Sequence, residues 1–476
     1  MIYMVVLAVV VSALLVTTVV KTLGVHGSTD FLVAGRKLPW PVLVFTLLSS
    51  WIGAGSLFAG GENAYRNGFA ALWQPAGGWA GLLVIGFIAG RARRFAQFTV
   101  PDLLELRFNV GARVLGTISI VVAYTVIASY QFIGGGDVLH LIFPELSRES
   151  GMYIIAAFVI VFTAAAGMAS IAYLDLIIGS LVTLIVIVSV PLLLQHAGGW
   201  AQVRATLPAT HFQVFGNVTP LTALGFLIPT MLLLVGNQSM YQKFFSARSE
   251  KDARFAVYGW IIGTLLLETL LITLAVIGSS MFKTDHPREI IPMSARLGLP
   301  PLVGAILLGG VFAKVISTAN NYLFSPATNL IHDVYSRFID RNAPERRTLL
   351  ASRVIVILLG GFALLQATTF TSVLAASLYA YTIYGAAVTP VVLAVFFWRR
   401  TTTAGAIVSI ILGAAITIVW NAAHLNDIVW PSIGTTVDAV YPALAASVLS
   451  LVIVSLLTPP PAKEKWEPFF TAGTAP

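Results

Sequence analysis

The sequence predicts an all-α integral membrane protein of about thirteen transmembrane helices, with a five-plus-five inverted-repeat transporter core in spans 2–6 and 7–11. Three observations point there. Of the 476 residues, 57% are hydrophobic and only 10% charged, and the mean hydropathy is +0.88. Apolar runs near the roughly 20 residues that cross a bilayer core recur along the whole chain. Two of these runs, the second and the seventh, are interrupted by glycine and small polar residues.

The spans fall at 2–20, 40–65, 69–90, 114–140, 151–168, 171–194, 220–242, 255–281, 301–325, 349–368, 373–397, 403–421 and 439–457. The first has no basic residues ahead of it and no small-residue cleavage site, so it reads as a retained span and not as a signal peptide. The connections at 195–219, 282–299, 331–347 and 421–438 are each too short to bury a core of their own. Residues 1–457 therefore form a single transmembrane transporter domain with its core at 40–397, followed by a short cytoplasmic tail, 458–476, expected to be disordered. TVPDLLELRFN, 99–109, alternates leucines with acids and an arginine, so it is expected to lie on the cytoplasmic surface.

The net charge of +8 reflects topology and not nucleic-acid binding. With the N-terminus outside, 21 of the 28 Lys and Arg residues fall on the cytoplasmic side, at 21–37, 91–113, 243–254, 337–353, 399–400 and 463–465. The positive-inside rule then predicts a multi-pass protein of the plasma or inner membrane, N-terminus outside and C-terminus cytoplasmic. The absence of cysteine excludes disulfides, iron–sulfur clusters and thiolate metal sites.

The second span contains LLSSWIGAGSLFAGGENAY, Leu47 to Tyr65, and the seventh contains Pro229 and the run Gly236–Asn237–Gln238–Ser239. Backbone groups freed at membrane depth must be satisfied again, and this happens where they line a cavity or a site. Tight packing through small residues is the other reading. A five-helix unit repeated at once inserts its second copy upside down, and inverted repeats with broken first helices are the pattern of secondary transporters.

The ninth span carries GGVFAKVISTANNYLFS, 309–325, with Lys314 one turn before the adjacent hydroxyls Ser317 and Thr318. An intramembrane lysine marks function by default, because an ammonium at the centre of a bilayer costs about 2.5 kcal/mol or more. Snorkelling toward water and a purely structural ion pair are the competing explanations. Ser317 and Thr318 can also bond back to the preceding turn.

With these features in view, the chain resembles the sodium/solute symporters that include the sodium/glucose and sodium/proline cotransporters. The likeness rests on DFLVAGRKLPW (30–40), SSWIGAGSLFAGGENAYRNGFAALW (49–73), FTVPDLLELRF (98–108), SIAYLDLIIGS (170–180), NQSMYQKFFSARSEKDAR (237–254) and VISTANNYLFSPATNLIHDVYSR (315–337), in that order. It implies alternating access and symport of a small organic solute such as an amino acid, sugar or carboxylate, with no organic cofactor and sodium or protons as the coupling ion. Carried over by motif, a sodium ion would be held by the Ser49 and Ile52 carbonyls, the Ser317 and Thr318 hydroxyls and the Lys314 carbonyl. Hard oxygen ligands suit an alkali cation. Asp175 matches a family acid close to that pocket.

Lys314 departs from the family pattern, which has a small apolar residue there. Its ammonium would oppose sodium, and a lysine–carboxylate pair with Asp175, or with Glu268 as a second candidate, would replace the ion and leave transport proton-coupled or sodium-independent. Beside the broken helices, one turn further toward the outside, the substrate would by position be lined by Gly53, Ser56, Gln131, Asn237 and Gln238, with Trp51 and Glu62 as further candidates; inter-helix bonding is the alternative role for Gln131 and Asn237.

Other functions fit poorly. No HExxH or GxSxG motif is present, and the histidines lie mainly in loops or at span ends, which argues against a membrane enzyme. No repeated filter sequence suggests a channel. A transporter-like solute sensor acting through a separate partner is the remaining alternative.

Overall fold

The computed structural model describes residues 1–22, 36–95, 99–165, 168–431 and 434–470. Among the described residues eleven helices are long and apolar enough to cross a membrane, joined by two shorter apolar stretches at Ile2–Thr17 and Trp40–Trp51. Residues 30–35 and 98, which belong to the sequence motifs above, lie outside the described residues, as do 471–476 of the tail.

The helices are α1 Ile2–Thr22, α2 Trp40–Trp51, α3 Gly60–Asn67, α4 Trp73–Phe95, α5 Val100–Arg107, α6 Val110–Ile142, α7 Arg148–Ala165 and α8 Met168–His196. They continue with α9 Gly199–Thr206, α10 Pro220–Gly236, α11 Gln238–Ser246, α12 Glu250–Met281, α13 Ile290–Leu297 and α14 Pro301–Asn329. The remainder are α15 Glu345–Ala367, α16 Val373–Ala387, α17 Thr389–Phe397, α18 Thr403–Ala422, α19 Val440–Leu457 and α20 Lys463–Phe470. Every described α14 residue from Leu307 to Asn329 is buried. It packs against α6, α8, α1 and α2, so this helix is the axis of the molecule.

Local chemistry sets the helix boundaries. Thr99 and Asp102 form a reciprocal capping box on α5, with both bonds at 3.1 Å. Asn109 caps α6 through the Ala112 amide at 3.0 Å, and Ser249 caps α12 through the Asp252 amide at 3.1 Å.

Both sequence-predicted interruptions are real. At the end of α2 the backbone of Ile52 turns to φ −84°, ψ 102°, and the chain resumes as a π-helical turn, Gly55–Ala59, that leads into α3. Between α10 and α11, Asn237 adopts φ −57°, ψ 108°. Pro229 does not break the helix; it sits inside α10.

Two expectations need correction. The 99–109 stretch is not a surface helix: Val100, Pro101, Asp102, Leu103, Leu104 and Arg107 are buried, because Gln238 Oε1 accepts the Val100 amide at 2.5 Å and the acids face a buried arginine. The tail is not irregular over 463–470. There α20 seats Phe469 on Phe95, ring centroids 4.4 Å apart and stacked, and against Phe396.

Close approach of backbones fixes the α6–α7 contact, where a Cβ added to Gly136 would lie 2.6 Å from both the Arg148 carbonyl oxygen and the Met152 nitrogen. Gly136→Ala should cost about 1–3 kcal/mol by overpacking. Gly86→Ala, whose added Cβ meets nothing within 4 Å, should leave stability unchanged or slightly raised. Thermal melting of the purified proteins in one detergent measures the contrast.

Candidate functional site

The two broken helices meet α14 near its centre. The Thr318 hydroxyl donates to the carbonyl oxygens of Ser49 and Ile52, each at 3.4 Å, and these are acceptors that the end of α2 leaves free. Gly53 is required here: a Cβ at that position would stand 2.6 Å from Thr318 Oγ1. Ser49 Oγ lies 3.4 Å from Ser317 Oγ. Asp175, fully buried on α8, accepts from Thr46 Oγ1 at 2.6 Å, from Ser317 Oγ in a short contact, and from Ser50 Oγ and Asn321 Nδ2 at 3.4 Å.

Lys314 is completely buried, and its Nζ has no hydrogen-bond partner among the described residues. The expected direct pair with Asp175 is therefore not formed, because the Asp175 oxygens are taken by hydroxyls and by Asn321. Glu268 is not its partner either; that carboxylate accepts from the indole N–H groups of Trp51 and Trp79, each at 3.0 Å, and from Ser56 Oγ at 3.2 Å.

Sequence reasoning missed a second buried lysine. Lys243 on α11, which the charge distribution assigns to the cytoplasmic side, is fully buried and donates to Ser239 Oγ at 3.1 Å and to Asn321 Oδ1 at 2.7 Å. Asn321 thus bridges Lys243 to Asp175. Its spacing of four residues from Ser239, one turn along the resumed helix, was the available signal. Asp175 interacts coulombically with both Lys243 and Lys314.

The residues expected to line the substrate are dispersed. Ser56 and Trp51 line a narrow cavity together with Gln74, Thr230, Glu268 and Tyr381. Gln131 and Asn237 instead serve the helix breaks, and Gln238 accepts the Val100 amide of α5. Gln131 Oε1 accepts the Ala54 amide at 2.8 Å. Asn237 accepts from Tyr124 OH at 2.9 Å, donates to Tyr322 OH at 3.0 Å and accepts the Met240 amide at 3.3 Å. Glu62, in the first turn of α3, is held by Arg66 at 3.1 Å and Ser372 at 3.0 Å.

Ion pairs close the protein at both ends. On the α5 side, Arg113 is 2.7 Å from Asp102, 2.6 Å from Glu105 and 2.5 Å from Asp333, joining α5, α6 and the π-helical residues Leu330–Ile339. Opposite, Arg288 meets Asp137 at 2.7 Å and Arg148 meets Glu289 at 2.5 Å.

The sequence pattern of the Sodium:solute symporter family matches residues 31–413. The chain belongs to this family. Among curated relatives, the high-affinity proline transporter PutP of Bacillus subtilis is 26% identical over 464 residues, 93% of this chain and 95% of that protein. The sodium/proline symporter of Haemophilus influenzae is 25% identical over 94% of this chain and 93% of its own length. In fold, the chain is similar to a Na+-coupled sialic acid symporter in a substrate-bound outward-open state, with a TM-score of 0.80 at 16% identity over 97% of this chain and 98% of that one. It is also similar to Mhp1, a nucleobase-cation-symport-1 family transporter, with a TM-score of 0.58 at 13% identity over 94% and 99% of the two chains.

The protein is thus a multi-pass secondary active symporter of a small organic solute and not an enzyme, and its family implies coupling to sodium. The sensor alternative finds no support, since these relatives are transporters.

Arg113 carries three acids in a buried setting. Arg113→Met should destabilise by roughly 3–5 kcal/mol, because the acids it compensates stay behind. Arg347→Met, at an exposed pair with Asp340, should change stability by less than about 1 kcal/mol. Melting curves, with hydrogen exchange followed over 99–113 and 330–339, test both.

Proposed function

We propose that the protein carries an amino-acid-sized polar solute by alternating access of two inverted five-helix repeats, and that the Lys314 ammonium takes over the role of the coupling sodium. The carrying observation is the cluster of oxygens at the end of α2. There Thr318 Oγ1 stands 3.4 Å from two carbonyl oxygens, and Ser49 and Ser317 hydroxyls stand 3.4 Å apart. Oxygens about 3.4 Å apart are spaced as adjacent ligands of a cation held at roughly 2.4 Å. Ser49, Ile52, Ser317 and Thr318 would form this cation site, with Asp175 beside it.

What argues against simple sodium occupancy is the local charge. Two buried ammonium groups, Lys243 and Lys314, share one carboxylate, Asp175. A further cation about 4 Å from either would be repelled by about 4 kcal/mol at an effective dielectric near 20. An internal positive charge able to lose its proton to one side and regain it from the other would make transport proton-coupled or sodium-independent. The proline transporters among the relatives support an amino-acid-sized solute. The breaks at Ile52 and Asn237 supply the two discontinuous helices of an inverted-repeat core.

Lys314→Ala restores the family pattern and should create sodium binding. In melting experiments with sodium against N-methylglucamine, the variant is expected to be stabilised by sodium, by about 2.7 kcal/mol at 100 times its Kd, and the unmodified protein is not. Proteoliposome uptake of L-proline, the first probe, should likewise become sodium-dependent in the variant alone. Strong sodium stabilisation of the unmodified protein would return Lys314 to a structural role.

The count of thirteen spans and the N-out, C-in orientation rest on the distribution of basic residues. Single cysteines in this cysteine-free chain at the exposed positions Thr206 and Asn342 should be labelled by an impermeant reagent in intact cells at 206 and not at 342. The reverse pattern inverts the topology.

A further inference from the structure

Eight acids are buried among the described residues, and seven of them answer to a cation. Glu62 pairs with Arg66, Asp102 and Asp333 with Arg113, and Asp137 with Arg288. Glu289 pairs with Arg148 and Asp252 with Arg248, while Asp175 stands in the field of two lysines. Glu268 is the exception. It is 4% exposed in the middle of α12 and no Lys, Arg or His lies within ion-pair distance of it among the described residues. Its carboxylate is held by neutral donors only: Trp51 Nε1 and Ser56 Oγ on one oxygen, Trp79 Nε1 on the other.

This acid faces the cavity beside the broken helix α2. Beyond the groups already spent inside the protein, the cavity lining offers one free acceptor and one hydroxyl, the Tyr381 OH, which accepts from Tyr130 OH at 3.5 Å. Gln74 lines the same cavity, and its Oε1 has no hydrogen-bond partner among the described residues. The Tyr381 hydroxyl stands across from it, so close to Gly55 that a Cβ there would lie 2.4 Å away. No basic side chain lines the cavity, and Trp51 adds an aromatic wall of the kind that attracts cations. A bare carboxylate buried in a membrane protein is costly, and what this cavity lacks is a positively charged donor of N–H hydrogen bonds.

We propose that the transported solute bears a protonated primary or secondary amine and seats it on Glu268, with Gln74 Oε1 as the second acceptor. The proposal rests on the symporter reading above and names the chemical class of its solute. The Trp51 and Trp79 indoles and Ser56 orient the carboxylate, so the guest meets a fixed acceptor. In this conformation the cavity admits little more than a water-sized guest. Loading such a solute therefore requires the walls formed by α2, α12 and α16 to separate, as alternating access demands.

The test uses the full-length protein in proteoliposomes with inward sodium and proton gradients together. The probes are L-proline and L-alanine, their amine-free counterparts cyclopentanecarboxylate and propionate, and the N-acetyl derivatives, whose nitrogen carries no charge. Accumulation above that in protein-free liposomes is expected of amine-bearing probes only. Glu268→Gln should weaken their apparent affinity at least tenfold, while Glu268→Asp, which keeps the charge, should retain most of it; melting curves show whether each variant is folded. Import of an amine-free probe as readily as its amine counterpart, or an unchanged affinity in folded Glu268→Gln, overturns the amine assignment and leaves the symporter reading standing. Accumulation of none of these probes counts against the amino-acid-sized solute of the symporter reading and against the amine assignment together.

Discussion

The constraint on which this structure depends is that a helix cannot be interrupted inside a membrane without handing its freed backbone groups to something else. At the first break the Ser49 and Ile52 carbonyls pass to Thr318 of α14, and the Ala54 amide passes to Gln131 of α6. At the second, the Gly236 carbonyl is taken by Tyr384 of α16 at 2.5 Å and the Leu232 carbonyl by Thr389 at 2.6 Å. Asn237 caps the resumed helix while bonding to Tyr124 and Tyr322. Each break is thus tied to helices far away in sequence. The same polar side chains that make the interruptions tolerable also fix where α6, α14 and α16 stand around the centre of the molecule.

Charge is distributed in a way that suits a protein opening alternately to two sides. At the α5 end and at the α13 end, arginines are clamped by acids, in contacts buried around Arg113 and partly exposed around Arg148. In the middle the balance is different. Among the described residues Lys314 has no hydrogen-bond partner, Lys243 reaches Asp175 only through Asn321, and Glu268 is solvated by indoles and a serine. Groups left incompletely compensated in this manner are poor contributors to stability. They are well placed to respond to a solute or a proton, because small changes in their surroundings change their energy by large amounts.

Much of this was legible in the chain. Apolar runs of bilayer length announced the helices, because a span has few ways to satisfy its backbone other than hydrogen bonding along itself. Glycines 53 and 55 with Ser56, and the Gly236–Ser239 run, announced the breaks, because such residues are poor occupants of a lipid-facing helix. Lys314, Ser317 and Thr318 announced the importance of α14, since an ammonium and adjacent hydroxyls are costly there without a purpose.

The sequence by itself determined, then, the class of protein, the places where its helices fail and the helix that carries the polar centre, because hydrophobic length and helix-breaking chemistry are local properties. Only the tertiary structure decided which polar group meets which. It put Lys243 against Asn321 instead of at the cytoplasmic edge, spent Gln131, Asn237 and Gln238 on backbone groups, and buried the 99–109 segment under Arg113. It left Glu268 facing a cavity with no cation beside it. These outcomes depend on partners tens to hundreds of residues distant, brought together by the packing of helices whose one-dimensional pattern records how apolar each face is but not what it will touch.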